Sequence, residues 1–159
     1  MIIGYTTGVF DLFHIGHLNI IKESKKKCDY LIVAVSSDKL AFKLKKKKPV
    51  IPFQERIEII KSLKYVDRAV EEKVDDKTKV KKKYKINIIF KGDDWKNTRK
   101  WNQLEKELEK QNIKIMFIKY TKKTSSSLIK KILNKMDKKK YMLFDKLKFN
   151  FFNRQFKMS

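Results

Sequence analysis

One cysteine, two histidines and four arginines are all that 159 residues hold of these types, and each scarcity excludes something. Cys28 alone makes no intrachain disulfide and no cysteine-based metal site, so a reducing, cytoplasmic setting is expected and the residue reads as packing at a helix end. No run approaches the ~20 apolar residues of a membrane span. The opening MIIGYTTG has no charged leader, so a soluble protein is expected. No internal repeat recurs at solenoid spacing. Arginine occurs at 56, 68, 99 and 154 against 37 lysines, in a chain of net charge +23. That charge suits an anionic partner: nucleic acid, membrane lipid or a phosphorylated substrate. Base and phosphate readers lean on the bidentate arginine fork, whereas lysine also makes solvated surface, so the composition disfavours nucleic acid.

What is present suffices for one domain. The chain is 42% hydrophobic and 37% charged, long enough for a single core and too short for two. Apolar, β-prone runs alternate with helical ones: IIGYT, HLNIIKESKKK, YLIVAVS, PFQERIEIIKSL, INIIF, RKWNQLEKELEKQ, IKIMFIKY and SSLIKKIL. Short all-apolar strands between amphipathic helices predict a doubly wound parallel α/β sheet. In such a sheet ligands bind beyond the carboxyl ends of the strands.

The first strand is expected to end near Thr6 or Thr7, and GVFDLFHIGH follows it directly. Gly8 would permit a tight turn. Both histidines of the chain, His14 and His17, fall in the first turn of the next helix at spacing i, i+3, with Gly16 between them. A helix N-terminus beside a glycine-bearing loop is suited to phosphate, and both imidazoles can face one phosphate chain. No nucleophile with an orienting partner is evident, and His-x-x-His lacks a clear third metal ligand, so neither covalent catalysis nor a protein-held metal is suggested.

GVFDLFHIGHLNII resembles the HxGH signature of the nucleotidyltransferase superfamily, in its cytidylyltransferase branch. KGDDW at 91–95, KYVD at 64–67 and YTKKTSSS at 120–127 are similar to segments of the glycerol-3-phosphate cytidylyltransferases, in the same order. The resemblance covers residues 1–133 and implies a Rossmann-like domain there, followed by a basic aromatic extension over 134–159. It further implies attack of a phosphomonoester oxygen on the α-phosphorus of CTP, with magnesium held mainly through the CTP phosphates, and a homodimer. Glycerol 3-phosphate is the expected acceptor. Choline phosphate, ethanolamine phosphate, an ATP-dependent adenylyltransferase and a catalytically silent nucleic-acid-binding module are the alternatives.

Carried onto this sequence, the resemblance implies catalytic roles for His14, His17 and Lys47. It implies nucleotide contacts for Val9, Phe10, Ile15, Gly16, Lys46, Asp93, Asp94, Tyr120, Thr121, Ser125, Ser126 and Ser127 besides the histidines and Lys47. Acceptor contacts fall on Asp11, Lys45, Arg56, Lys64, Lys77 and Trp95. Other readings of these residues stand beside these: an ion pair of Arg56 with Glu55 or Glu58, an Asp11 that orients a loop N–H or the magnesium shell or is purely structural, and N-capping by the serines. Trp101 reads as core. Tyr120, Lys123 and Lys64 depart from the family's arginine, glycine and arginine. No aromatic cage for a quaternary ammonium is evident ahead of the tail. That tail carries five of the eleven phenylalanines in its last sixteen residues, suited to an anionic membrane surface or to packing on the domain or a second subunit.

Overall fold

The computed structural model describes residues 1–119, 121 and 124–136, without the side chain of Lys100. The chain divides into a first unit, Met1–Thr124, and a second that begins at Ser125, ahead of the 133/134 boundary expected from sequence. The expected tail lies outside the described residues from 137 onward.

In the first unit the apolar runs form strands β1 (Ile3–Gly8), β2 (Tyr30–Ser36), β3 (Arg68–Glu72), β4 (Ile88–Gly92) and β5 (Lys114–Ile118). They pair in parallel in the order β3-β2-β1-β4-β5. The helices between them are α1 (Ile15–Lys25), α2 (Asp38–Lys45), α3 (Phe53–Lys61), α4 (Val80–Tyr84) and α5 (Arg99–Glu109). Strand alternation sorts the core into two layers. Ile32 and Ala34 of β2 join Tyr5, Ile89, Trp101 and Leu108 on one face, whereas Leu31, Val33 and Val35 join Ile21, Ile57, Ile60 and Phe90 on the other. Helices α1 and α3 therefore cover one face, and α4 and α5 the other. This is the doubly wound, Rossmann-like architecture expected from sequence.

Three elements go beyond that expectation, the short α4 among them. RAVEE forms β3, an edge strand bonded to β2 alone, so it tolerates the polar Arg68, Glu71 and Glu72. DKLAFKLK forms α2, whose N-cap Ser37 accepts a hydrogen bond from the Leu40 N–H at 3.2 Å. In the second unit a helix runs over 126–136.

The sheet order places β1 centrally, with the chain stepping outward to β2 and β3 on one side and to β4 and β5 on the other. A reversal of that kind opens a crevice above the carboxyl end of β1.

Candidate active site

The loop after β1 carries the backbone irregularity that its sequence announces, though not where the glycine stands. Gly8 ends β1 without a positive φ, while Phe10 (φ 53°) and Leu12 (φ 48°) are left-handed. Gly8 serves instead by leaving room, since a Cβ there would lie 3.2 Å from the Phe10 ring. Left-handed non-glycine residues cost ~1 kcal/mol or more each and persist where the surroundings fix them. Three anchors do so here. The Phe10 ring is buried in the core, the Val9 carbonyl accepts from Arg56, and the Asp11 carboxylate accepts from the backbone N–H groups of Val50 and Ile51 at 2.9–3.1 Å. Asp11 thus ties this loop to the one after α2.

Arg56 was expected on a helix surface, pairing with Glu55 or Glu58 or with the acceptor. It is instead wholly buried, and its fork is committed. It donates to the carbonyls of Ile51, Val9 and Ser36 and pairs with Asp38 at 2.5 Å. One guanidinium satisfies the carbonyl at the end of β2 and one in each of the loops after β1 and before α3, so the buried fork is spent on holding these segments together.

The loop delivers both histidines to one place. His14 is the N-cap of α1, and its Nδ1 accepts from the Gly16 N–H at 3.0 Å. An accepting Nδ1 puts the proton of the neutral ring on Nε2, leaving that N–H available as a donor. The His14 and His17 rings stack with centroids 3.9 Å apart. A Cβ on Gly16 would come within 2.8 Å of His14 Cε1, so only glycine permits this stack. Phe10 meets His17 edge-on at 5.4 Å and Phe13 lies 5.6 Å away, which secures the second ring. Burial lowers the pKa of His14; burial, followed by His14 and Lys45, lowers that of His17 to about 3. Both rings are therefore neutral at neutral pH. His17 Nδ1 is buried without a hydrogen-bond partner among the described residues. Thr121 stands against this turn, its Oγ1 accepting from Asn19 Nδ2 at 3.0 Å. Ile15 points outward, half exposed.

Beside the loop lies a cleft of about 660 Å³ that begins at Thr7, Gly8 and Val9; the histidines are not among its walls. Its other walls come from the carboxyl ends of β2, β3 and β4, from Lys45 at the end of α2, and from α5. On its floor the Glu72 carboxylate accepts from Thr7 Oγ1 at 2.5 Å and Ser36 Oγ at 2.9 Å and pairs with the buried Lys77. Lys77 also pairs with Asp75 at 2.8 Å. Lys91 and Trp95 line the opposite wall with Trp101, which is core as expected and also faces the cleft. Asp93 and Asp94 are exposed in the 3-10 turn that follows β4, and burial raises the pKa of Asp94. Gly92 lets the Asp94 carboxylate fold back against the strand end, where a Cβ would displace it.

Lys46 and Lys47 are exposed just past α2, with Lys46 as its left-handed C-cap (φ 54°). Lys64 is a correction: it lies between α3 and β3, at the amino ends of the strands and across the sheet from the crevice, with its ammonium 5.3 Å from the Tyr65 ring. Ser125 N-caps the helix of the second unit, accepting from the Leu128 N–H at 3.1 Å. Ser126 and Ser127 belong to that unit, and Tyr120 lies outside the described residues. Sequence reasoning missed Thr7, Ser36, Glu72 and Lys91. Lys91, set between the apolar INIIF and GDDW, carried a signal: a lysine at the end of a central strand is costly unless the ligand cleft is there.

The geometry therefore joins a neutral histidine pair at a helix N-terminus to a lysine-bearing cleft at the ends of four parallel strands. A family model described as "cytidylyltransferase-like" matches residues 5–132. The chain belongs to the cytidylyltransferase-like family. It is 33% identical over 135 residues to an FAD synthase of Archaeoglobus fulgidus, covering 81% of this chain and 96% of that protein. It is 30% identical to a glycerol-3-phosphate cytidylyltransferase of Staphylococcus aureus, covering 84% and 96%. Among solved structures, a lipopolysaccharide core biosynthesis protein from Thermoplasma volcanium superposes with a TM-score of 0.65 at 35% identity, over 78% of this chain and 99% of that one. A pantoate-beta-alanine ligase from Francisella tularensis, at 18% identity and a TM-score of 0.55 over 77% of this chain and 60% of that one, shares the fold. Membership makes the chain a nucleotidyltransferase. Among the described residues no helix is long and apolar enough to cross a membrane.

Proposed function

We infer that this nucleotidyltransferase moves CMP from CTP to glycerol 3-phosphate, giving CDP-glycerol and pyrophosphate. The observation that carries the reaction class is the stacked, neutral His14–His17 pair at the N-terminus of α1. A phosphate oxygen of the acceptor attacks the α-phosphorus, and the bond from that phosphorus to the bridging oxygen breaks, so that pyrophosphate leaves with the electron pair. The acceptor's dianion needs no general base. The protein's part is to hold two anions in line and to meet the charge that moves toward pyrophosphate. His14 Nε2–H and His17 donate to the triphosphate, and its lengthening bond makes those donations strongest in the transition state. Lys45, Lys46 and Lys47 close over the phosphates as mobile point charges.

Magnesium fits as a group held by the nucleotide. Among the described residues no cluster of three or more metal-ligating side chains occurs, and Glu72 and Asp11 are engaged within the protein. Bound through the triphosphate, it would neutralise phosphate charge, with Asp93 and Asp94 the exposed carboxylates at the crevice edge.

The cleft beside Thr7–Val9 is read as the acceptor site. Its floor of Thr7, Ser36, Glu72 and Lys77 is a polar network bonded within itself, and Lys91 on the facing wall adds an ammonium, a polar lining suited to a small polyol phosphate. The 30% identity to a glycerol-3-phosphate cytidylyltransferase supports this acceptor. The 33% identity to an FAD synthase favours a second reading, in which ATP replaces CTP and riboflavin phosphate is the acceptor in the same displacement. Incubation with magnesium, CTP or ATP and a panel of phosphomonoesters, with products identified by mass, separates them. CDP-glycerol is expected as the main product, above CDP-choline; FAD as the main product, or a preference for choline phosphate, would overturn the substrate assignment.

A further inference from the structure

The chain's two tryptophans, Trp95 from the turn after β4 and Trp101 from the first turns of α5, both line the cleft and both face one ammonium. Lys91 Nζ lies 5.0 Å from the Trp95 ring centroid and 5.6 Å from that of Trp101, within the range of a cation–π contact. It donates one long bond, 3.4 Å, to the Thr7 carbonyl, and among the described residues it forms no ion pair. Glu72, Asp75 and Lys77 line the same cleft, and the charges of these three and of Asp94 act on Lys91. Two indole faces with carboxylates nearby are the chemistry that recognises a quaternary ammonium. The sequence showed no such cage ahead of the tail; the fold builds one and fills it with the protein's own cation.

We propose that Lys91 is a specificity-determining residue of the acceptor site: its ammonium occupies the two-tryptophan box, so the cleft takes a phosphomonoester with a neutral, hydroxyl-bearing body and turns away one carrying a quaternary ammonium. The proposal rests on reading the cleft as the acceptor site. A second cation brought to the same indoles meets a like charge at close range, whereas a hydroxyl meets an N–H donor. Burial, with Lys77, lowers the Lys91 pKa to about 8 against the pull of Glu72, Asp94 and Asp75, so at neutral pH the plug is charged.

Lys91→Met removes the charge and stops one atom short of the ammonium, leaving an apolar side chain in its place. Choline and tetramethylammonium, neither bearing phosphate, are titrated into wild type and variant while tryptophan fluorescence is followed; both indoles stand at the box, so the signal reports on it. The variant is expected to bind either cation at least tenfold more tightly than wild type, adding Trp95→Ala is expected to remove the gain, and the turnover ratio of choline phosphate to glycerol 3-phosphate is expected to rise by a similar factor. Wild type supplies an arm independent of the variant's folding: between pH 7 and pH 9.5 its choline affinity should rise about tenfold as Lys91 loses its proton. Cation affinity unchanged in the folded variant, or in wild type at pH 9.5, overturns the proposal, as does a gain that survives Trp95→Ala. A gain in cation binding with an unchanged turnover ratio overturns the acceptor reading, and the specificity role with it, and is told apart by the intact binding signal.

Discussion

At the scale of single residues, the site's two imidazoles are held neutral by their surroundings. His17, at about 3, stands well below the ~6.5 of an unfolded histidine. Below pH 6.5 the unfolded chain therefore binds a proton that the folded chain refuses, and stability falls as the pH falls toward 3. By pH 5, where most carboxylates are still ionised, the loss from His17 alone is about 2 kcal/mol. Urea melts at pH 7 and pH 5 should show that decline, and His17→Asn should flatten it; equal stability of wild type at the two pH values would contradict the assignment. The pair was legible in the sequence because the chain spends both of its histidines in ten residues. Glu72 was not, and Lys91 signalled only its own strand end, since nothing in RAVEE or INIIFKG says that two strands separated by β1 and β2 end over the same cleft.

At the scale of elements, the site depends on how loops are fastened above the sheet. Arg56 lies on α3 yet bonds to carbonyls after β1, at the end of β2 and before α3, and to Asp38 at the start of α2. Removing a buried, hydrogen-bonded charge leaves its partners unsatisfied and typically costs ~3–5 kcal/mol. Arg56→Ala is therefore expected to lose about that much in denaturant melts and to raise KM for the nucleotide as the loop loosens; stability within 1 kcal/mol of wild type would show that the fork is dispensable. The sequence placed the arginine on a helix but not the face it buries, because FQERIEIIK puts Arg56 beside Ile57 and one turn before Ile60, and only the packing of α3 on the sheet decides that the arginine goes in. Strand β3 and helix α2 went unread for a related reason. One is polar because it forms an edge, and the other runs into a lysine tract whose composition hides its end.

At the scale of the whole molecule, the order β3-β2-β1-β4-β5 brings the carboxyl ends of four strands to one crevice, and the loops that leave them carry the histidine pair and the cleft lining. The alternation of apolar strands and amphipathic helices made that architecture legible. Lys64 shows the limit of reading along the chain: it lies in a motif-like segment, yet an αβ connection emerges at the wrong end of the sheet. The net charge of +23 favours encounter with anionic substrates. The central claim is that the stacked histidines stabilise the departing pyrophosphate. The most direct measurement is kcat for CTP and glycerol 3-phosphate in His14→Asn, which keeps an N-cap acceptor for α1, and in His17→Ala, with circular dichroism to verify the fold. Loss of one preorganised donor predicts a fall in kcat on the order of 10² to 10³ in each, with native spectra; near-wild-type turnover in both folded variants would contradict the account.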